Sequence, residues 1–117
     1  MAALVEPTAA RWFTPAFVTA NPPALDRVRA MIRDTPAADS SPARALQRDD
    51  FREDVEAIRL PMLLVVGAAD GAVPAVMRGM HEAIPGSAFV GIEWAGHLPN
   101  IERADAFNAA IGTFLRS

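Results

Sequence analysis

One short stretch constrains the fold more than any other. Pro61 is followed by Met62-Leu63-Leu64-Val65-Val66, an apolar run that stops at Gly67. Such a run, bounded by residues that break regular structure, predicts a strand buried on both faces of a parallel sheet. The next residues support it. Pro74 opens a helical pattern in which Val76, Met77, Met80, Ala83 and Ile84 share a stripe, and Pro85-Gly86 closes it. Ala88-Phe89-Val90-Gly91-Ile92 is a second strand. A last helix covers Ala104 to Leu115, with Phe107, Ala110, Ile111 and Phe114 on one face. The stripe Val76, Met77, Met80 and the face Phe107, Ile111, Phe114 are expected to be core, and His81 is expected to be exposed. The order strand, helix, strand, helix requires a crossover and so a parallel pairing.

Residues 1–60 read differently. They are rich in Ala, Pro, Arg and Asp and contain no strand-like run. After Asn21-Pro22-Pro23, residues Leu25, Val28, Met31 and Ile32 recur at helical spacing, and Thr35-Pro36 ends the helix. Further helices are expected over Ser41 to Gln47 and over Arg52 to Ile58, the latter with Asp50 as a candidate cap. The chain therefore divides into a helical segment, 1–60, and a βαβα unit, 61–117.

At 117 residues the chain is sized for one small domain. Its composition, 51% apolar and 21% charged, is that of a globular protein. The net charge of −3 and the lack of any block of like charges offer nothing to nucleic acid or an anionic membrane. Without cysteine there are neither disulfides nor thiolate metal sites. Met1 to Thr8 has no basic start and reads as no signal peptide. The longest apolar stretch, Met62 to Val66, is too short to span a bilayer. The expectation is a cytoplasmic protein with no membrane partner.

In a parallel sheet, ligands bind beyond the carboxyl ends of the strands. Two loops sit there: Gly67 to Pro74, carrying Asp70, and Trp94 to Asn100, carrying His97. The separation of 27 positions from Asp70 to His97 accommodates one helix and one strand, which brings the loops side by side. Taken singly, an Asp after a strand is usually a turn or capping residue and a His in a loop is usually surface. Together they match a known chemical use. The carboxylate accepts the Nδ1–H and orients the ring, and the free Nε2 takes a proton from a nucleophile. Gly96 is expected to allow a tight turn before His97.

The pattern G-x-x-D-x-x-x-P after a strand, then G-H-x-x-x-x-E before a terminal helix, resembles the end of an α/β-hydrolase. That fold orders its triad as serine, acid, histidine. Asp70 and His97 occupy the last two places. Glu102 matches an acidic residue common in the family, expected here to cap the last helix by its charge. Arg11-Trp12-Phe13-Thr14-Pro15-Ala16-Phe17, Val28-Arg29-Ala30-Met31-Ile32 with Thr35-Pro36, Asp50-Phe51-Arg52, Ile58-Arg59-Leu60-Pro61 and Gly96 to Glu102 resemble 3-oxoadipate enol-lactonases, in which residues 1–60 would belong to the helical cap. Asp39-Ser40 stands where that family usually has Gly-Tyr.

The resemblance implies a carboxylic-ester or lactone hydrolase of the β-ketoadipate pathway that needs no cofactor and no metal. Arg11 and Trp12 are candidates for substrate contact, with packing of the cap onto the sheet as the alternative for Trp12. No G-x-S-x-G occurs: the serines are Ser40, Ser41, Ser87 and Ser117. The chain thus resembles the carboxy-terminal part of the fold, supplying acid and histidine without the nucleophile, and is expected to be inactive alone. Two other possibilities stand beside this. One is a non-catalytic α/β module that self-associates or completes a separate amino-terminal half. The other is a part of another α/β-hydrolase, esterase or haloperoxidase-like.

Overall fold

The computed structural model describes residues 2–36 and 50–117. After one 3-10 turn, Ala2–Leu4, come helices α1 (Val5–Trp12), α2 (Pro15–Ala20), α3 (Pro23–Asp34) and α4 (Arg52–Glu56). Strand β1 (Leu63–Gly67), helix α5 (Val73–Ala83), strand β2 (Ala88–Ile92) and helices α6 (Pro99–Glu102) and α7 (Ala104–Leu115) complete the order. The expected helix over Ser41 to Gln47, like Asp39-Ser40, lies outside the described residues.

The strands pair in parallel, with Leu63 opposite Ala88 and Gly67 opposite Ile92. Both apolar runs therefore end at the same rim, and the loops after them are neighbours. The strand is not buried on both faces, however. Leu64 and Val66 are buried, whereas Leu63 and Val65 are half-buried. On the less covered side Leu63, Val90, Ala110 and Phe114 line an open apolar cavity of about 420 Å3. With two strands among the described residues, α7 has too narrow a sheet to cover its whole apolar face. Phe107, Ile111 and Phe114 are accordingly half-buried, not core.

The helical part has its own core: Val5 and Ala9 of α1, Phe13, and Leu25, Val28 and Ile32 of α3. Those positions recur at helical spacing, so each helix turns one stripe inward. Thr14 caps α2 through its hydroxyl, Pro15 supplies a first-turn residue that needs no N–H partner, and Asn21 (φ 47°) ends the helix in the left-handed conformation. The Arg29 guanidinium bonds Glu6, Asp26 and Asn21, tying α3 to α1 and to the end of α2. These carboxylates hold the Arg29 side chain protonated even more firmly than usual, the hydrogen bond to Glu6 being the main cause.

Four expectations need correction. Met31 is 66% exposed, because it sits one step round α3 from the Leu25–Val28–Ile32 stripe. Val76 is 65% exposed, and no residue of α5 is fully buried, because α5 has few apolar neighbours beyond the two strands. His81 is half-buried and its Nδ1 lies 2.7 Å from the Ser87 hydroxyl. Helix α4 stops at Glu56, and the residue at its amino-terminal cap position is Phe51; Asp50, one place earlier, accepts from the Arg52 amide at 3.1 Å.

Candidate active site

The Asp70 loop is a tight turn held at both ends. Its amides at Ala68 and Ala69 donate to the carbonyls of Ile92 and Ala95, each at 2.9 Å, and the Asp70 amide donates to the Gly67 carbonyl at 3.1 Å. The loop after β1 is thus stitched onto the loop after β2. Gly67 makes this possible: a Cβ there would lie 1.9 Å from the Gly96 carbonyl oxygen. Gly96 has a related reason to be glycine, and it differs from the expected one. Its φ is not positive; a Cβ would lie 2.6 Å from the Trp12 carbonyl oxygen. Both glycines serve close backbone approach.

At this junction Asp70 and His97 meet. The Asp70 Oδ2 lies 2.9 Å from His97 Nδ1. A carboxylate only accepts, so Nδ1 carries the hydrogen, and Nε2 is left with a free lone pair in the neutral ring. Nε2 has no hydrogen-bond partner among the described residues, and half of the His97 side chain is accessible, against 16% for Asp70. The His97 backbone amide donates to the Trp12 carbonyl at 2.7 Å, and the Trp12 indole stacks on the imidazole with centroids 6.3 Å apart and planes 26° apart. Trp12 therefore touches the histidine and also packs against the helical core. Arg11 is exposed. Neither lines the open cavity of about 540 Å3 bounded by Thr14, Phe17, Ala69, Trp94 and Arg103.

Two features were missed in the sequence: the backbone of Trp94 and the role of Glu102. Trp94 has a left-handed backbone (φ 59°) and is 75% exposed; no periodicity marks such a residue. Glu102 does not cap α7. It is buried, and its carboxylate accepts from the Thr14 amide, the Thr14 hydroxyl and the Gly96 amide. Its spacing from His97 marked it, but its Thr14 partner lies 88 residues away in sequence and could not be read.

Among the described residues no group of three or more His, Cys, Asp or Glu could hold a metal ion, and no helix is long and apolar enough to cross a membrane.

No family model matches the chain. It is 34% identical over 120 residues to 3-oxoadipate enol-lactonase 1 of Acinetobacter baylyi, a match that covers all of this chain and 44% of that protein. The crystal structure of the enol-lactonase from Burkholderia xenovorans LB400 superposes over the whole chain with a TM-score of 0.88 at 34% identity, covering 45% of that chain. The chain has the fold of the α/β-hydrolase superfamily. Its architecture is that of the carboxy-terminal part of an α/β-hydrolase, helical segment and terminal βαβα together, and it resembles the enol-lactonases within that superfamily. A thermophilic esterase from Thermogutta terrifontis matches nearly as well, with a TM-score of 0.83 and 30% identity over 97% of this chain and 43% of that one. The chain spans less than half the length of the relatives it matches.

Proposed function

We propose that the chain supplies the acid and the histidine of a serine-type ester or lactone hydrolase, with 3-oxoadipate enol-lactone as the substrate class its relatives favour. The observation that carries this is the 2.9 Å contact between Asp70 Oδ2 and His97 Nδ1, with the other ring nitrogen open. His97 Nε2 would take the proton of a serine hydroxyl as it attacks the carbonyl, then return it to the leaving alkoxide or enolate. Water would release the acyl group by the same two steps, and Asp70 would stabilise the imidazolium formed each time. Arg11 is a candidate for pairing with a substrate carboxylate, and Trp12 a candidate for bounding the pocket beside His97.

The nucleophile comes from a second polypeptide segment in this proposal, since no G-x-S-x-G is present. The half-covered apolar face supports a missing partner: Leu63, Val90, Ala110 and Phe114 line an open cavity beside the two-stranded sheet.

Mixing the chain with the amino-terminal half of an enol-lactonase, containing its strand, G-x-S-x-G and helix, tests the proposal. Hydrolysis of an aryl ester and of the enol-lactone is expected from the mixture and from neither part alone. His97→Ala or Asp70→Asn in the mixture lowers kcat by about 10^3- to 10^4-fold. Turnover by the isolated chain, abolished by His97→Ala, would contradict the claim that the nucleophile lies elsewhere. Turnover of the mixture that survives both substitutions would end the relay.

A further inference from the structure

The structure assigns Glu102 a positioning role for His97. Three observations meet at its carboxylate. It is a buried charged group, 9% exposed, and every buried charge requires donors to offset its lost hydration. Its donors come from two segments: Oε1 accepts from the Thr14 amide at 2.9 Å and from the Gly96 amide at 3.3 Å, and Oε2 accepts from the Thr14 hydroxyl at 2.6 Å and the Thr14 amide at 3.1 Å. Those segments are the ones that hold the histidine. Gly96 precedes His97, and Thr14 lies two residues past Trp12, whose carbonyl receives the His97 amide and whose indole stacks on the ring.

The short helix α6 explains how the carboxylate reaches both. It begins two residues after His97 and turns the chain back within one turn, with the Glu102 amide donating to the Leu98 carbonyl at 3.0 Å. The side chain of Glu102 then folds back over the histidine's own backbone. His97 is held on one side by Trp12 and on the other by Gly96, and Glu102 joins the two holds into one clasp. Without it, the His97 loop and the α1–α2 turn are joined through the His97 amide and the Trp12 carbonyl alone. The imidazole can then slide along the indole and away from Asp70. The role concerns oxygen acceptors more than charge. A glutamine at this position keeps one oxygen for the Thr14 and Gly96 amides, and the Thr14 hydroxyl can rotate to accept from its amide group.

The functional meaning rests on the relay proposed for His97; the clasp itself does not, and the test separates them. The chain has two histidines, so a His81→Gln background leaves the His97 ring alone in the proton spectrum. Stacked on Trp12, its ring protons are displaced by the indole ring current. In the 117-residue chain, Glu102→Ala is expected to remove more than half of that displacement, while Glu102→Gln retains most of it. Thr14→Val, which keeps the amide donor and deletes the hydroxyl, produces a smaller loss in the same direction and serves if Glu102→Ala does not fold. A purely structural role would lower the unfolding midpoint and leave the His97 shifts of the folded protein untouched. That result in Glu102→Ala, or in Thr14→Val where the alanine variant is unfolded, overturns the assignment. In the reassembled enzyme Glu102→Ala lowers kcat about 10^2-fold, as expected for a slightly misplaced base. Absence of any activity in the unsubstituted mixture counts against the relay and leaves the clasp standing.

Discussion

Gly67 and Gly96 are the residues on which the site's geometry turns. Each stands where a Cβ would collide with backbone, at 1.9 Å from the Gly96 oxygen and 2.6 Å from the Trp12 oxygen. Backbone cannot swing aside as a side chain can, so Gly67→Ala and Gly96→Ala are each expected to cost about 3 kcal/mol or more, read from urea denaturation. Gly71 and Gly86 have positive φ but open space around a Cβ, so alanine there costs only about 1 kcal/mol. Trp94 presents the opposite case. A bulky side chain in the left-handed region, mostly exposed, is stored strain. Trp94→Gly is expected to stabilise the chain by roughly 1 kcal/mol in the same assay. Asp50 shows a different residue-scale effect. The Arg52 guanidinium beside it lowers its carboxyl from 3.8 to about 2. The interaction is complete above pH 3.8 and disappears as the pH falls through about 2, because protonation removes the charge Arg52 binds. A carboxyl-carbon NMR titration should find that midpoint, and Arg52→Ala should return it toward 3.8. Asp50 is exposed, so this changes a titration and not the fold.

At the scale of elements, burial and periodicity agree in α3 and part company in α5. Leu25 is fully buried in α3 between Val5, Ala9 and Phe13, whereas Met31 on the same helix faces out. Leu25→Ala is expected to cost about 2–5 kcal/mol and Met31→Lys no more than about 0.5 kcal/mol, both from denaturant midpoints. In α5 an amphipathic pattern of similar strength buries no residue fully. Two strands make too small a platform, so Val76 stays in solvent while Ile84, at the helix end, is buried against the sheet. The apolar stripe of α5 and the half-covered face of α7 are faces made to be packed, with less than enough surface here to pack against.

For the whole molecule the same deficit shows at the edges of the sheet. Each strand of the two-stranded sheet has one edge without a partner strand among the described residues. Edges of this composition, apolar and free of charge, template further pairing. The isolated chain is therefore expected to self-associate with rising concentration in sedimentation velocity, and to become monodisperse as a one-to-one complex when the complementary half is added. A monodisperse monomer with a sharp cooperative unfolding transition would remove the structural reason for a partner.

Much of this was legible in residue order. The bounds of β2, and those of β1 to within one residue, came from Pro61, Gly67 and the apolar runs between breakers. The parallel pairing came from the helix between them, and the nearness of Asp70 and His97 from the shared rim of neighbouring strands. These are local signals or consequences of chain connectivity. What sequence could not supply were relations between segments far apart along the chain: that Glu102 answers Thr14, that the Trp12 carbonyl holds the His97 amide, that Gly96 is glycine because another backbone passes beside it. Pattern alone also overstated burial at Met31, Val76 and Phe114. An apolar stripe records which face would be covered, and only the assembled fold decides whether there is anything to cover it.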